Sequence, residues 1–206
     1  MKVLLRDRWL LAVDKPAGLL TQPGLGPEQA DSLITRLNRE DPAVRLVHRL
    51  DRDTSGVLLL ARGLEALRSC SSLFAHRRVN KLYLADVDGH LDRGGAINSP
   101  LARLQRQPPR YGFHPNGRTA ITLWRVLRRL EGIKLEKITR VWLRPVTGRS
   151  HQLRAHLAGI GHPIIGDPIY GDAGIPGRLR LHAHALSFRH PFTQKRVRLI
   201  SAPTFL

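Results

Sequence analysis

The chain has 206 residues, 42% of them hydrophobic, with 34 Lys+Arg against 16 Asp+Glu, a formal net charge of +18 and a pI near 11.5. That size and hydrophobic content exclude a disordered chain and allow one large domain or two interlocked halves, while the apolar runs are far too short to cross a bilayer. The charge is spread along the sequence, so the folded body itself is expected to be basic and to meet a polyanion, nucleic acid by default.

Met1 to Arg6 shows no long apolar stretch and no cleavage site, so no secretory signal is expected. Residues 9–13, Trp-Leu-Leu-Ala-Val, read as a strand, closed by a turn at Asp14-Lys15-Pro16-Ala17-Gly18. A Gly/Pro loop over 21–27 follows, and then a helix with Asp31 as its cap and Leu33, Ile34 and Leu37 on one face, stopped by Pro42. Val47-His48-Arg49-Leu50-Asp51-Arg52-Asp53-Thr54-Ser55-Gly56 is the first dense stretch. It runs into Val57-Leu58-Leu59-Leu60-Ala61, a buried strand. A turn carrying a carboxylate between guanidinium groups and tied to a core strand is a rigid mount for chemistry; the plain alternative is a solvated turn with local hydrogen bonds.

Residues 63–78 read as a helix whose Cys70 is a small core residue. As the one cysteine it excludes a disulfide framework and points to a reducing cytoplasm. Lys81 to Val87 is a strand with Tyr83 facing opposite to Leu82 and Leu84. Residues 92–118 read as irregular, with a hairpin signal at Asn116-Gly117. Two long strands follow, over 119–128 and ending at Arg144.

The second dense stretch, Thr147 to Leu157, reads as a helix with Leu153, Leu157 and Ile160 on one stripe. His151 and Arg154 share a neighbouring face, and Gly159 and Gly161 stop the helix. Two strands, 178–188 and 195–200, close the chain. Strands and helices mix without regular alternation, which predicts an α+β fold on a largely antiparallel sheet.

Histidines crowd the second half, yet His151 and His156 at i,i+5 point apart on a helix, and neither a His-Glu-x-x-His nor a paired-Cys pattern is present. No metal site is therefore expected. Walker-type loops, Gly-x-Gly-x-x-Gly and Gly-x-Ser-x-Gly are also absent. What remains is Asp51 among arginines in a basic protein. Nearby guanidinium groups favour its ionised form, suited to act as a nucleophile or to stabilise an oxocarbenium-like ribose. Asp53 is the competing carboxylate and is expected to be more solvated.

His48 to Gly56 resembles the signature of the RluA-type RNA pseudouridine synthases. Asp14 to Gly18, Lys81-Leu82-Tyr83, Thr147 to His156 with Gly161-His162-Pro163 and Gly166-Asp167, and Leu181-His182 with Leu186 to Pro191 are similar to the family's other motifs, in order. The resemblance implies a single catalytic domain over 1–206, of two interlocked subdomains. Its mixed, mainly antiparallel sheet would lie in two halves flanked by helices, with the active site in the central cleft. It places Asp51 on the catalytic aspartate, Tyr83 on a tyrosine acting as base or stacking ring, and Arg154 on the arginine that pairs with the aspartate. Arg49 falls on the residue that fills the gap left by a flipped nucleotide. Lys15, Arg149 and His151 are the further RNA-binding candidates.

The implied reaction isomerises uridine in ribosomal or transfer RNA stem-loops, with no cofactor and no metal. The chain resembles compact members that lack an S4-type domain, and a cytoplasmic monomer is expected. A non-catalytic RNA-binding or ribosome-assembly factor is the alternative, opposed by the intact Asp51, Tyr83 and Arg154. A metal-dependent RNA hydrolase is opposed by the missing ligand spacing.

Overall fold

The structure, a computed structural model, describes residues 1–130, 137–172 and 177–205. The chain forms two compact units: residues 1–81 with 183–206, and residues 82–182. The first is discontinuous in sequence, because the chain leaves it after Lys81 and returns at Ala183. The architecture is mixed α+β with antiparallel strand pairing, as the sequence implies.

In the first unit, β1 (Val3–Arg6), β2 (Leu10–Lys15) and β4 (Ser55–Arg62) are consecutive neighbours, and β3 (Val44–Leu46) pairs with the end of β4. The late strands β11 (Leu181–Arg189) and β12 (Arg196–Ile200) pair with each other. Every residue from Val57 to Ala61 is 0% exposed, so β4 is covered on both faces and reads as an unbroken apolar run. Alternate residues Leu10, Ala12, Val57 and Leu59 pack with Cys70, Leu186 and Phe188. Cys70 comes from α2 (Leu64–Ala75), and burial raises its thiol pKa to about 11.

Helix α1 (Leu33–Glu40) starts one residue later than expected. Its cap is Ser32, whose hydroxyl accepts from the Thr35 N–H at 3.3 Å while the Thr35 hydroxyl accepts from the Ser32 N–H at 2.8 Å. This reciprocal arrangement satisfies two N-terminal donors at once. Asp31 instead forks onto Arg36. The expected turn after residue 13 also comes two residues later, since β2 runs through Lys15.

In the second unit the sheet order is β5-β10-β9-β6, formed by β5 (Asn80–Asp88), β10 (Ile138–Pro145), β9 (Ile121–Leu130) and β6 (Gly94–Asn98). Helix α3 (Gln152–Gly159) packs Leu153 and Leu157 onto Ala85, Val87, Val141 and Leu143. Beneath the sheet's other face, Arg140 holds Asp86 through a buried fork at 2.6 and 2.9 Å.

Residues 92–118 are not irregular. They hold β6 and a separate hairpin of β7 (Leu101–Gln105) and β8 (Arg110–Phe113). That hairpin turns at Pro108-Pro109; Asn116-Gly117 forms a turn, but the strand before it pairs backward with β7 rather than forward with β9.

Candidate active site

The stretch around Asp51 is held by four ties inside the first unit. Lys15 ends β2 opposite Gly56 and is 0% exposed. Its ammonium donates to the carbonyls of Pro16 (2.8 Å), Leu19 (2.7 Å) and Arg52 (2.8 Å). All three protons are thereby used on main chain, and the Arg52 carbonyl adjoins Asp51. The Thr21 hydroxyl donates to the Leu50 carbonyl at 2.7 Å and accepts from the Leu50 N–H at 3.3 Å. The Asp51 carbonyl accepts from the Thr54 N–H at 3.2 Å, which closes the turn. His48 accepts the Leu59 N–H on Nε2 at 3.0 Å, and its ring stacks on Phe74 at 4.6 Å. Gly56 allows the strand to enter this crowded place. Its φ is +112°, and a Cβ there would stand 2.3 Å from the Ala183 carbonyl oxygen.

Burial sets the charges of the two anchors. It lowers the Lys15 pKa to about 8, against the pull of the Asp53 and Asp51 carboxylates. It lowers the His48 pKa to about 3, with the Lys81 ammonium adding to the effect, so the ring is a neutral acceptor.

Lys15 is therefore corrected as an RNA-binding candidate. An ammonium that is fully buried and has spent its donors on carbonyls cannot reach a phosphate; it positions the turn instead. Arg49 is exposed beside Asp51 and makes no hydrogen bond among the described residues. Arg52 forks onto Asp53 at 2.9 and 3.2 Å. Asp51 and Asp53 are both half-buried, so the expected contrast in their solvation is not seen.

The second unit carries the other candidates. Tyr83 sits on β5 opposite Leu143, half-buried against the core that α3 covers. Arg154, on α3, is 3% exposed and forks onto Asp167 with Nε–Oδ2 at 2.7 Å and Nη2–Oδ1 at 2.8 Å. Its guanidinium lies 5.2 Å from the Tyr170 ring centre. Asp167 is itself fixed, accepting the N–H groups of Ile169 (2.9 Å) and Tyr170 (3.1 Å). Gly166 before it has φ +71°, and a Cβ there would fall 2.2 Å from the Arg178 carbonyl oxygen.

His151 is not on the helix. It takes a left-handed conformation (φ 53°) one residue before α3, so it does not share a helical face with Arg154. Its Nδ1 is 3.1 Å from the Tyr170 hydroxyl, which also accepts the Tyr111 N–H at 2.8 Å. The helix ends at Gly159, with Gly161 (φ +84°) two residues on, as expected. Arg149 donates from Nε to the Thr119 carbonyl at 3.0 Å. Gln152 ties this loop to β9: its Oε1 accepts from Thr147 (2.7 Å) and the Arg149 N–H (3.0 Å), and its Nε2 donates to the Ile121 carbonyl (2.9 Å).

Arg49, Asp51 and Lys15 thus belong to one tightly tied turn. Arg149, His151 and Arg154 belong to one loop-and-helix segment. Residue types alone did not point to Thr21, Gln152 or Tyr170, whose roles are hydrogen bonds to main chain. Two further histidines also act as ties: His156 bridges Thr122 and the Ser99 carbonyl at 3.0 Å each, and His162 reaches the Asp88 carbonyl at 2.7 Å. Among the described residues, no group of three or more His, Cys, Asp or Glu side chains is placed to hold a metal ion.

The model of the RNA pseudouridylate synthase family matches residues 9–159, and the chain belongs to that family of isomerases. Within it, the chain is of the RluA type. It is 40% identical over 195 residues to the "Dual-specificity RNA pseudouridine synthase RluA" of Vibrio vulnificus, covering 92% of this chain and 78% of that protein. The Yersinia pestis protein of the same name is 40% identical over 196 residues, covering 93% of each chain. Among solved structures, "Human RNA Pseudouridylate Synthase Domain Containing 1" is 29% identical with a TM-score of 0.83, over 100% of this chain and 84% of that one. "Human RNA Pseudouridylate Synthase Domain Containing 4" is 25% identical with a TM-score of 0.75, over 99% of this chain and 89% of that one.

Proposed function

We propose that this pseudouridine synthase acts on uridines in unpaired loops of ribosomal and transfer RNA, with Asp51 as the catalytic group. Relatives at about 40% identity that carry the name dual-specificity RNA pseudouridine synthase support a substrate range of more than one RNA. The observation that carries the assignment of Asp51 is its mount: a half-buried carboxylate on a turn whose main chain is bound by Lys15 and Thr21. Such fixing reduces the reorganisation needed at the moment of reaction.

The target nucleotide leaves its stack, at a cost of a few kcal/mol. Exposed Arg49 occupies the gap with its planar guanidinium. Asp51 acts on C1′ as the N1–C1′ bond breaks. The base turns, C5 bonds to C1′, the C5 proton is lost and N1 takes up a proton, so the product is an isomer of the substrate. Tyr83 holds the detached uracil or receives the C5 proton; a base–aromatic stack contributes roughly 1–3 kcal/mol. Arg154, held by Asp167, supports the carboxylate. Arg149 and His151 contribute RNA contacts. No cofactor takes part in these steps. The lone buried thiol of Cys70 agrees with a reducing cytoplasm, and among the described residues no helix is long and apolar enough to cross a membrane. We expect a monomer.

The test is tritium release from RNA labelled at uridine C5. Asp51→Asn should abolish release while RNA affinity stays close to that of the unaltered protein. Retained turnover would remove Asp51 from the mechanism, and absence of turnover in the unaltered protein on any RNA would favour a binding factor. Tyr83→Phe should keep most of the rate if the ring stacks, and lose it if the phenol is the base.

A further inference from the structure

The first unit contains a hollow of about 630 Å³ beside the Asp51 turn, lined among others by Leu19, Leu20, Glu28, Gln29, Arg36 and Arg52. The volume lies in the range of small-ligand sites, roughly 300–1,000 Å³. Part of its wall is rigid, because the carbonyls of Pro16 and Leu19 are bound by the buried Lys15 ammonium.

The chemistry of the lining is unusual for so basic a protein. Both arginines are occupied. Arg36 forks onto Asp31 at 2.9 and 2.6 Å, and Arg52 forks onto Asp53 at 2.9 and 3.2 Å. At these exposures the pairs add little to stability. What they fix is the plane of each guanidinium, and they offset its charge, which makes it a poor phosphate clamp and a good flat surface. Glu28 is exposed on the 3-10 turn Pro27–Gln29 and makes no hydrogen bond among the described residues. An unpartnered carboxylate repels phosphate and accepts from the N–H edge of a base. Sequence-reading of RNA uses unpaired bases stacked on arginine or aromatic planes and bonded along their edges.

We propose that this hollow binds an unpaired nucleobase with an exocyclic amino group, near the target uridine in the same RNA loop. The base stacks on the guanidinium of Arg36, whose plane the fork onto Asp31 orients, and donates its amino group to Glu28. The inference deepens the reading of the chain as an RNA pseudouridine synthase and rests on it, and makes Glu28 and Arg36 specificity-determining residues outside the catalytic group.

The experiment uses the full chain and a stem-loop substrate with 2-aminopurine placed in turn at each unpaired position other than the target. One position should show a change in fluorescence on binding, and Arg36→Ala should abolish it. At that position, replacing adenine by purine, which lacks the amino group, should weaken binding at least about tenfold in the unaltered protein, as expected for one hydrogen bond to a charged group. In Glu28→Ala the two RNAs should bind alike. If no position responds to Arg36→Ala, or if Glu28→Ala keeps the discrimination, the proposal is wrong. Tritium release from the same RNAs reports the isomerase reading separately: turnover without these couplings removes the hollow alone, and couplings without turnover remove the isomerase reading alone.

Discussion

Taking an ammonium out of water costs several kcal/mol, and Lys15 recovers this only through three carbonyl oxygens placed within 2.8 Å. The sequence offers a lysine in a motif and a basic protein, and phosphate contact is the natural inference. Burial cannot be read from a lone charged residue, so the anchoring role appears only once the carbonyls are in place. Arg154 teaches the same lesson from the other side. Its motif singles it out, yet the Asp167 that holds it lies 13 residues away across a loop. Asp167→Asn keeps an acceptor for the Ile169 and Tyr170 N–H groups but removes the carboxylate charge that the buried Arg154 guanidinium forks onto. We expect a loss of about 3–5 kcal/mol, read as a lower urea midpoint at unchanged slope, together with a lower rate of tritium release.

At the scale of elements, what was legible was what burial dictates. Strand β4 is covered on both faces and announces itself as five consecutive apolar residues. The β7–β8 hairpin does not: most of its residues are exposed or half-exposed, so alternation is lost, and Tyr111 docks through its N–H onto a tyrosine 59 residues away. The start of α3 was hidden for a similar reason, because a left-handed His151 has no periodic signature.

The segment from His48 to β4 carries a pH signature. The unfolded chain protonates His48 as pH falls below its ordinary value of 6.5, whereas the folded ring, with Nε2 already accepting from Leu59, resists until about 3. The folded state then binds fewer protons than the unfolded one, so this contribution is complete above 6.5 and is lost as pH falls toward 3. His48→Gln supplies an acceptor that does not titrate. Its unfolding free energy should fall less steeply between pH 6.5 and 4, by about 1–3 kcal/mol over the interval once the solvent contact of the half-buried residue is allowed for. Equal slopes in denaturant titrations of the two proteins would remove His48 as the cause.

For the whole molecule, a net charge of +18 governs RNA association more than any one contact. Log affinity should fall linearly with log salt, with a slope of about −0.7 per neutralised phosphate in single strands and −0.9 in duplex. Between 50 and 200 mM salt a loss on the order of 10³-fold follows if six or more phosphates are engaged. Filter binding of a stem-loop at four salt concentrations measures the slope. A value near zero would mean that the basic surface is not what the RNA meets. Family and fold class were readable from ordered motifs, because each motif needs particular residues at fixed spacing. The side chains that hold those motifs still were not, because they act through main-chain partners chosen by the tertiary structure.

The one thiol in 206 residues is 0% exposed, with its acidity suppressed by burial. Maleimide and disulfide dyes should therefore pass the native enzyme by. A cysteine introduced on the surface would be the sole handle for a fluorophore or spin label, so distances to a bound RNA can be measured without first removing a native residue. In the unaltered protein, the rate at which Ellman's reagent finds Cys70 becomes a clock for how often the first unit opens.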